Sequence, residues 1–189
     1  MHLTARFEEA VIFALRLHAK QLRKGSETPY AAHLLSVASI TLTHGGNEEE
    51  AIGALLHDAV EDQGGAPTLE EIRRRFGDNV AAIVEGCTDT DTVPKPPWRA
   101  RKEDYIAHVR KASPSVRLVS ASDKLDNARA ILADYCVLGE SLWGRFKGGK
   151  EGTLWYYTEL VKAFREASGG SIVDELDRVV QELHRRAAR

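Results

Sequence analysis

Residues 51–62, AIGALLHDAVED, constrain this chain more than any other stretch. An apolar run at helical spacing abruptly takes on four ionisable groups in six positions, His57, Asp58, Glu61 and Asp62. Residues four apart share one face of a helix, which predicts Glu61 one turn beyond His57 and Asp62 one turn beyond Asp58. A folded core does not accept such a cluster unless its charge is compensated. Two readings stand for the six residues alone. One is a solvated helix end; the other is a divalent metal held by His57 and Asp58, with a water activated near Glu61 and Asp62.

At 189 residues the chain is long enough to bury a sizeable core as one domain spanning 1–189. Its net charge of -2 comes from mixed charges, which excludes nucleic-acid binding driven by bulk electrostatics. Cys87 and Cys136 are not at metal-ligand spacing and predict reduced thiols rather than a disulfide framework. The start, MHLTARFEEAV, is charged and amphipathic, unlike a signal peptide, and no stretch approaches the length of a membrane span. A soluble cytoplasmic protein without membrane partners is expected. Nothing indicates its oligomeric state.

Along the chain, helical spacing recurs and strand alternation does not. A first helix is expected from an N-cap at Thr4, through His18 and Lys20, towards Arg23, Lys24 and Gly25. Its basic end is either a solvated terminus or a phosphate grip. Pro29 can open a second helix carrying His33 beside its apolar stripe, where a lone His is more often a core residue than a ligand. Asn47 and Glu50 form a capping-box pattern for the central helix, expected to run through Asp62 to Gly64-Gly65. Thr68 to Glu71 suggests another capped start, and Asp78 a further cap. Residues 88–98, TDTDTVPKPPW, form the least regular loop, with Lys95 between prolines. Helices are expected over 98–111 and from Pro114, where Asp123 interrupts an apolar pattern with Asn127 one turn further on. A glycine-rich basic loop at 143–152 should precede helices at 153–166 and 172–186. The predicted fold is all-α.

His33, His57, Asp58 and Asp123 thus supply two imidazoles and two carboxylates, one or two per helix. That donor set suits Mn²⁺, Fe²⁺ or Zn²⁺ and is how helical folds build metal sites. The order His…His-Asp…Asp resembles the signature of HD-domain phosphohydrolases. The match narrows with Arg23-Lys24 before TPYAAH, then LLHDAVED, FGDNVAAIVEGCTD and SASDKLDNAR. These segments resemble the hydrolase domain of Rel and SpoT proteins, and most of all its free-standing form, the small alarmone hydrolases.

The resemblance implies a helical HD-domain fold and metal-dependent hydrolysis of the 3′-pyrophosphate of guanosine tetra- or pentaphosphate. It implies His33, His57, Asp58 and Asp123 as metal ligands, with Mn²⁺ the usual ion. Glu61 and Asp62 match the acidic pair that orients or deprotonates the attacking water. Arg23, Lys24, Lys95, Asn127, Lys150 and Tyr156 match substrate contacts. Adenosine alarmones or the 2′-phosphate of NADPH are alternative substrates for the same centre, and a non-catalytic nucleotide sensor is the alternative class. Two departures stand out: Leu34 follows the first His where the family often has Pro, and Ala130 replaces a Thr or Asp near the sugar. With nothing after Arg189, no synthetase or regulatory region of the long Rel type is expected.

Overall fold

The computed structural model describes residues 2–89, 94 and 96–188. The fold is all-α, and among the described residues the only β-type pairing is an isolated bridge between Leu22 and Pro29. The chain divides into two compact units, Met1–Lys95 with Ser113–Asp123, and Pro96–Ala112 with Lys124–Arg189.

The first unit contains α1 (Ala5–Leu17), α2 (Ala31–Thr43), α3 (Glu48–Leu56), the single turn α4 (Ala59–Asp62), α5 (Ala66–Phe76) and α6 (Asp78–Cys87). The first residues of α8 (Pro114–Leu138) complete it. At its centre is α3, whose residues Ala51, Ile52, Gly53, Ala54, Leu55 and Leu56 are all buried. A helix that is apolar on every side must be surrounded, and α1, α2 and α6 all pack on it. Gly53 permits the closest approach. A Cβ there would lie 2.6 Å from Cγ2 of Ile83 on α6. Ile72 and Phe76 bury the inner face of α5 in the same core; burying each such side chain contributes roughly 1.5–3 kcal/mol.

Several local expectations hold. Thr4 caps α1 by accepting from the Arg6 N–H at 3.2 Å. Asn47 and Glu50 form a reciprocal capping box at the start of α3. Others need correction. The first helix stops at Leu17, short of the basic residues. The chain then forms a turn pinned by Arg23 N–H to Thr28 O and Tyr30 N–H to Gln21 O, each at 2.9 Å. The central helix does not continue to Asp62. It breaks after Leu56, with Asp58 at φ -97, ψ 0, and resumes as α4. The Asp62 N–H still bonds Asp58 O at 3.0 Å, so the one-turn relation between those two survives the break. α5 starts at Ala66 from a cap at Gly65, because the Thr68 hydroxyl turns back to Gln63 O instead of capping. Gly77, not Asp78, caps α6, while Asp78 accepts from Arg73 at 3.0 Å.

The second unit holds α7 (Trp98–Lys111), the remainder of α8, a 3-10 segment (Gly139–Arg145), α9 (Gly149–Ala167) and α10 (Ser171–Ala187). α9 begins four residues before the expected Thr153, so Lys150 and Gly152 belong to a helix rather than a loop. The glycines serve packing. A Cβ at Gly148 would meet the Trp98 indole at 2.6 Å, and one at Gly152 at 3.1 Å. α10 is strongly amphipathic and buries Ile172, Val173, Leu176, Val180 and Leu183. No helix among the described residues is long and apolar enough to cross a membrane.

Candidate metal centre

α2, the α3–α4 break and α8 bring His33, His57, Asp58 and Asp123 together within the first unit. His33 Nε2 lies 3.6 Å from Asp58 Oδ2 and 3.3 Å from Asp123 Oδ1. His57 Nε2 lies 3.0 Å and 3.6 Å from the same two oxygens. The imidazole rings meet edge-on, with centroids 5.2 Å apart. Both histidines are only 2% exposed and Asp123 6%, while the Asp58 side chain retains 22% exposure.

The break at His57 is what aims the donors. His57 Nδ1–H donates to Ala54 O at 2.7 Å, which fixes the tautomer and turns Nε2 towards the carboxylates. That Nε2 is buried without a hydrogen-bond partner. Tyr30, one turn before His33, donates its hydroxyl to Asp58 Oδ2 at 2.5 Å. Burial opposes charge on His57, but Asp58 and Asp123 outweigh it and raise the imidazole well above its ordinary pKa. Burial likewise opposes ionisation of Asp58, yet the charge on His57 3.0 Å away, and then His33, hold it far below the usual carboxylate range. Burial and the Asp58 carboxylate push the Tyr30 hydroxyl far above its ordinary value, so it stays a donor.

The residues fit a divalent cation. His33, His57 and Asp58 present donor atoms within 4.8 Å of one another, and Asp123 Oδ1 adds a second carboxylate. Two imidazoles and two carboxylates would neutralise such an ion, and His57 would give up its Nε2 proton on binding it, since metal binding requires the neutral imidazole.

The other expected site residues fall in several places. Glu61 is half-buried and Asp62 exposed on α4, directly after the break. Arg23 and Lys24 ride on the bridged turn between α1 and α2 rather than on a helix end. Lys95 lies outside the described residues. Asn127, Lys150 and Tyr156 belong to the second unit. There Lys150 donates to Glu140 at 2.8 Å, and Tyr156 is buried against Trp98 and Tyr157 with Lys102 over its ring at 5.0 Å.

Three residues around the centre carry no metal-ligand signature and were not expected there. Tyr30 reads as an apolar helix residue. Gln21 and Gln63 are ordinary polar residues in sequence, yet Gln21 bonds Asp62 and Gln63 bonds Gln21. The available signal was the placement of Gln63 directly after Asp62 and of Gln21 one turn after His18.

A helical chain with a buried two-His, two-Asp cluster has the arrangement by which helical folds build metal sites. This chain belongs to the HD domain family, whose model matches residues 10–136. It is similar to the guanosine-3′,5′-bis(diphosphate) 3′-pyrophosphohydrolase MESH1 of Xenopus tropicalis, with 44% identity over 124 residues, 64% of this chain and 66% of that protein. The Homo sapiens protein of the same name is 41% identical over 129 residues, covering 66% of this chain and 69% of its own. The match thus spans about two thirds of these relatives. A solved metazoan SpoT ortholog, described as hydrolysing ppGpp and acting in starvation responses, superimposes with a TM-score of 0.80 and 26% identity, covering 97% of this chain and 98% of its own.

Proposed function

We propose that this chain is a metal-dependent hydrolase of the 3′-pyrophosphate of guanosine tetra- or pentaphosphate, releasing pyrophosphate and leaving GDP or GTP in the cytoplasm. The observation that carries the reading is the convergence of His33, His57, Asp58 and Asp123 on one buried point. It is supported by similarity to relatives named for this reaction.

His33, His57, Asp58 and Asp123 would hold the ion, Mn²⁺ first, with Zn²⁺ or Fe²⁺ able to use the same donors. When bound, such an ion lowers the pKa of a water and polarises a phosphoryl oxygen. The chain's own residues do the rest. Glu61 and Asp62, four residues after His57 and Asp58, would receive or steer the proton of the attacking water. Tyr30 holds the Asp58 carboxylate in one orientation. Arg23 and Lys24 offset substrate charge from the bridged turn. For Lys95, Asn127, Lys150 and Tyr156 the proposed role in substrate binding rests on the family resemblance alone.

The test is product analysis by anion-exchange chromatography of the purified protein with Mn²⁺. Guanosine and adenosine tetraphosphates and NADPH are assayed in parallel, with and without chelator. Chelator-sensitive pyrophosphate release from the guanosine compound is expected. Turnover of only the adenosine compound or NADPH would replace the substrate, and turnover of none would overturn the reading.

A further inference from the structure

Asp62 is held by a hydrogen-bond network whose polarity can be deduced from end to end. The carboxylate of Asp62 only accepts, so the Gln21 atom 2.7 Å from its Oδ2 must be the amide Nε2. That orientation makes Gln21 Oε1 an acceptor. It takes a bond from Gln63 Nε2 at 2.5 Å and faces His18 Nδ1 at 2.7 Å. An acceptor there requires the proton of His18 to sit on Nδ1. His18 is 3% exposed, and burial lowers its pKa, so the ring stays neutral with Nε2 as a bare, partnerless lone pair. The ring itself is clamped by stacking on Tyr30, with centroids 5.3 Å apart. Flipping the Gln21 amide would set its oxygen against the Asp62 carboxylate and its nitrogen against the Gln63 donor. The network therefore has a single consistent state.

We propose that Gln21 is a positioning residue for Asp62, oriented in turn by Gln63 and by the Nδ1–H tautomer of His18. This deepens the hydrolase reading and rests on it. Asp62 is on the exposed side of α4 and would otherwise sample several rotamers. Gln21 engages Oδ2, which fixes the plane of the carboxylate and leaves Oδ1 for the proton of the attacking water.

The experiment combines kinetics with ¹⁵N NMR of the histidine rings in the full chain. In wild type, His18 should carry its proton on Nδ1; a proton on Nε2 would overturn the deduction. Gln21→Met keeps the volume and removes the amide. It should lower kcat by about ten- to hundred-fold, with KM within about twofold and metal content unchanged, as expected for an orienting partner. It should also release the His18 tautomer. Gln21→Glu retains an acceptor for His18 but places a carboxylate against Asp62. It should lose rate while the tautomer persists. On an Asp62→Asn background, Gln21→Met should cost nothing further, because a residue that acts through another is not additive with it. Unchanged kcat in both Gln21 variants, or full additivity, would overturn the proposal. If wild type hydrolyses no nucleoside polyphosphate, the functional reading fails separately, and the His18 tautomer in wild type and Gln21→Met still decides the network.

Discussion

Tyr30 donates to Asp58 Oδ2 at 2.5 Å from a ring that stacks on His18 at 5.3 Å and meets His33 edge-on at 5.3 Å. One side chain therefore fixes the Asp58 carboxylate and braces two imidazoles. Tyr30→Phe keeps the ring and removes the hydroxyl. Metal affinity should fall by about tenfold or more, the usual consequence of losing a partner of a ligand, with little change in Tm of the metal-free protein. Metal content after dialysis against graded chelator measures this; wild-type retention would show that Asp58 needs no orienting donor.

Asp58→Asn and Glu61→Ala should fail in different ways. Asp58→Asn removes a ligand charge from the centre, so metal and turnover disappear together. Glu61→Ala should keep the metal and lose about 10²–10⁴ in rate, the range for a general base. Elemental analysis beside steady-state kinetics separates them. An active, metal-free Asp58→Asn protein would sink the scheme.

Adding Mn²⁺ should raise the Tm, because the four donors converge only in the folded chain. At an ion concentration of about 100 Kd the linked stabilisation is about 2.7 kcal/mol. Differential scanning calorimetry with and without chelator reads the shift, and Asp123→Asn should abolish most of it.

Gly53→Ala tests the packing behind the site. The new methyl would sit 2.6 Å from Ile83 Cγ2, and a β-branched side chain on a helix has little freedom to turn away. Overpacking costs about 1–3 kcal/mol, against about 1 kcal/mol gained in helix propensity. Net destabilisation in urea unfolding is expected, relieved when Ile83→Ala is added.

Acid sensitivity should trace in part to Glu71. Hydrogen bonds from Arg74 and then Arg75 lower its carboxyl to about 2 from 4.5. A folded pKa below the unfolded one gives stability that is present above about pH 4.5 and lost as pH falls towards 2. Glu71→Gln should therefore melt below wild type at pH 7, and the gap should close near pH 2. A gap that stays constant across pH would remove this ion pair from the account.

Elements with a local chemical stop or start were legible in the sequence. The Asn47–Glu50 box and the Thr4 cap both depend on neighbours within a turn. The grouping of His33, His57, Asp58 and Asp123 was legible only from their order and the family resemblance, since His33 taken alone read as a core residue. The break after Leu56 was not. Nothing in HDAVED forbids a continuous helix, and Asp58 at the break is bonded by Tyr30 from 28 residues away, a partner no local pattern reveals. The early end of α1 was hidden for the same reason, since the turn that replaces it is held by Thr28 and Tyr30 from the far arm.

That bridged turn has an evolutionary consequence. Its two ends are Gln21, which grips Asp62, and Tyr30, which grips Asp58, while Arg23 and Lys24 ride between them. A lineage that remodels this turn to accept another nucleotide also shifts both anchors, so on the proposed reading a change of substrate and a change of turnover should arrive in the same mutation.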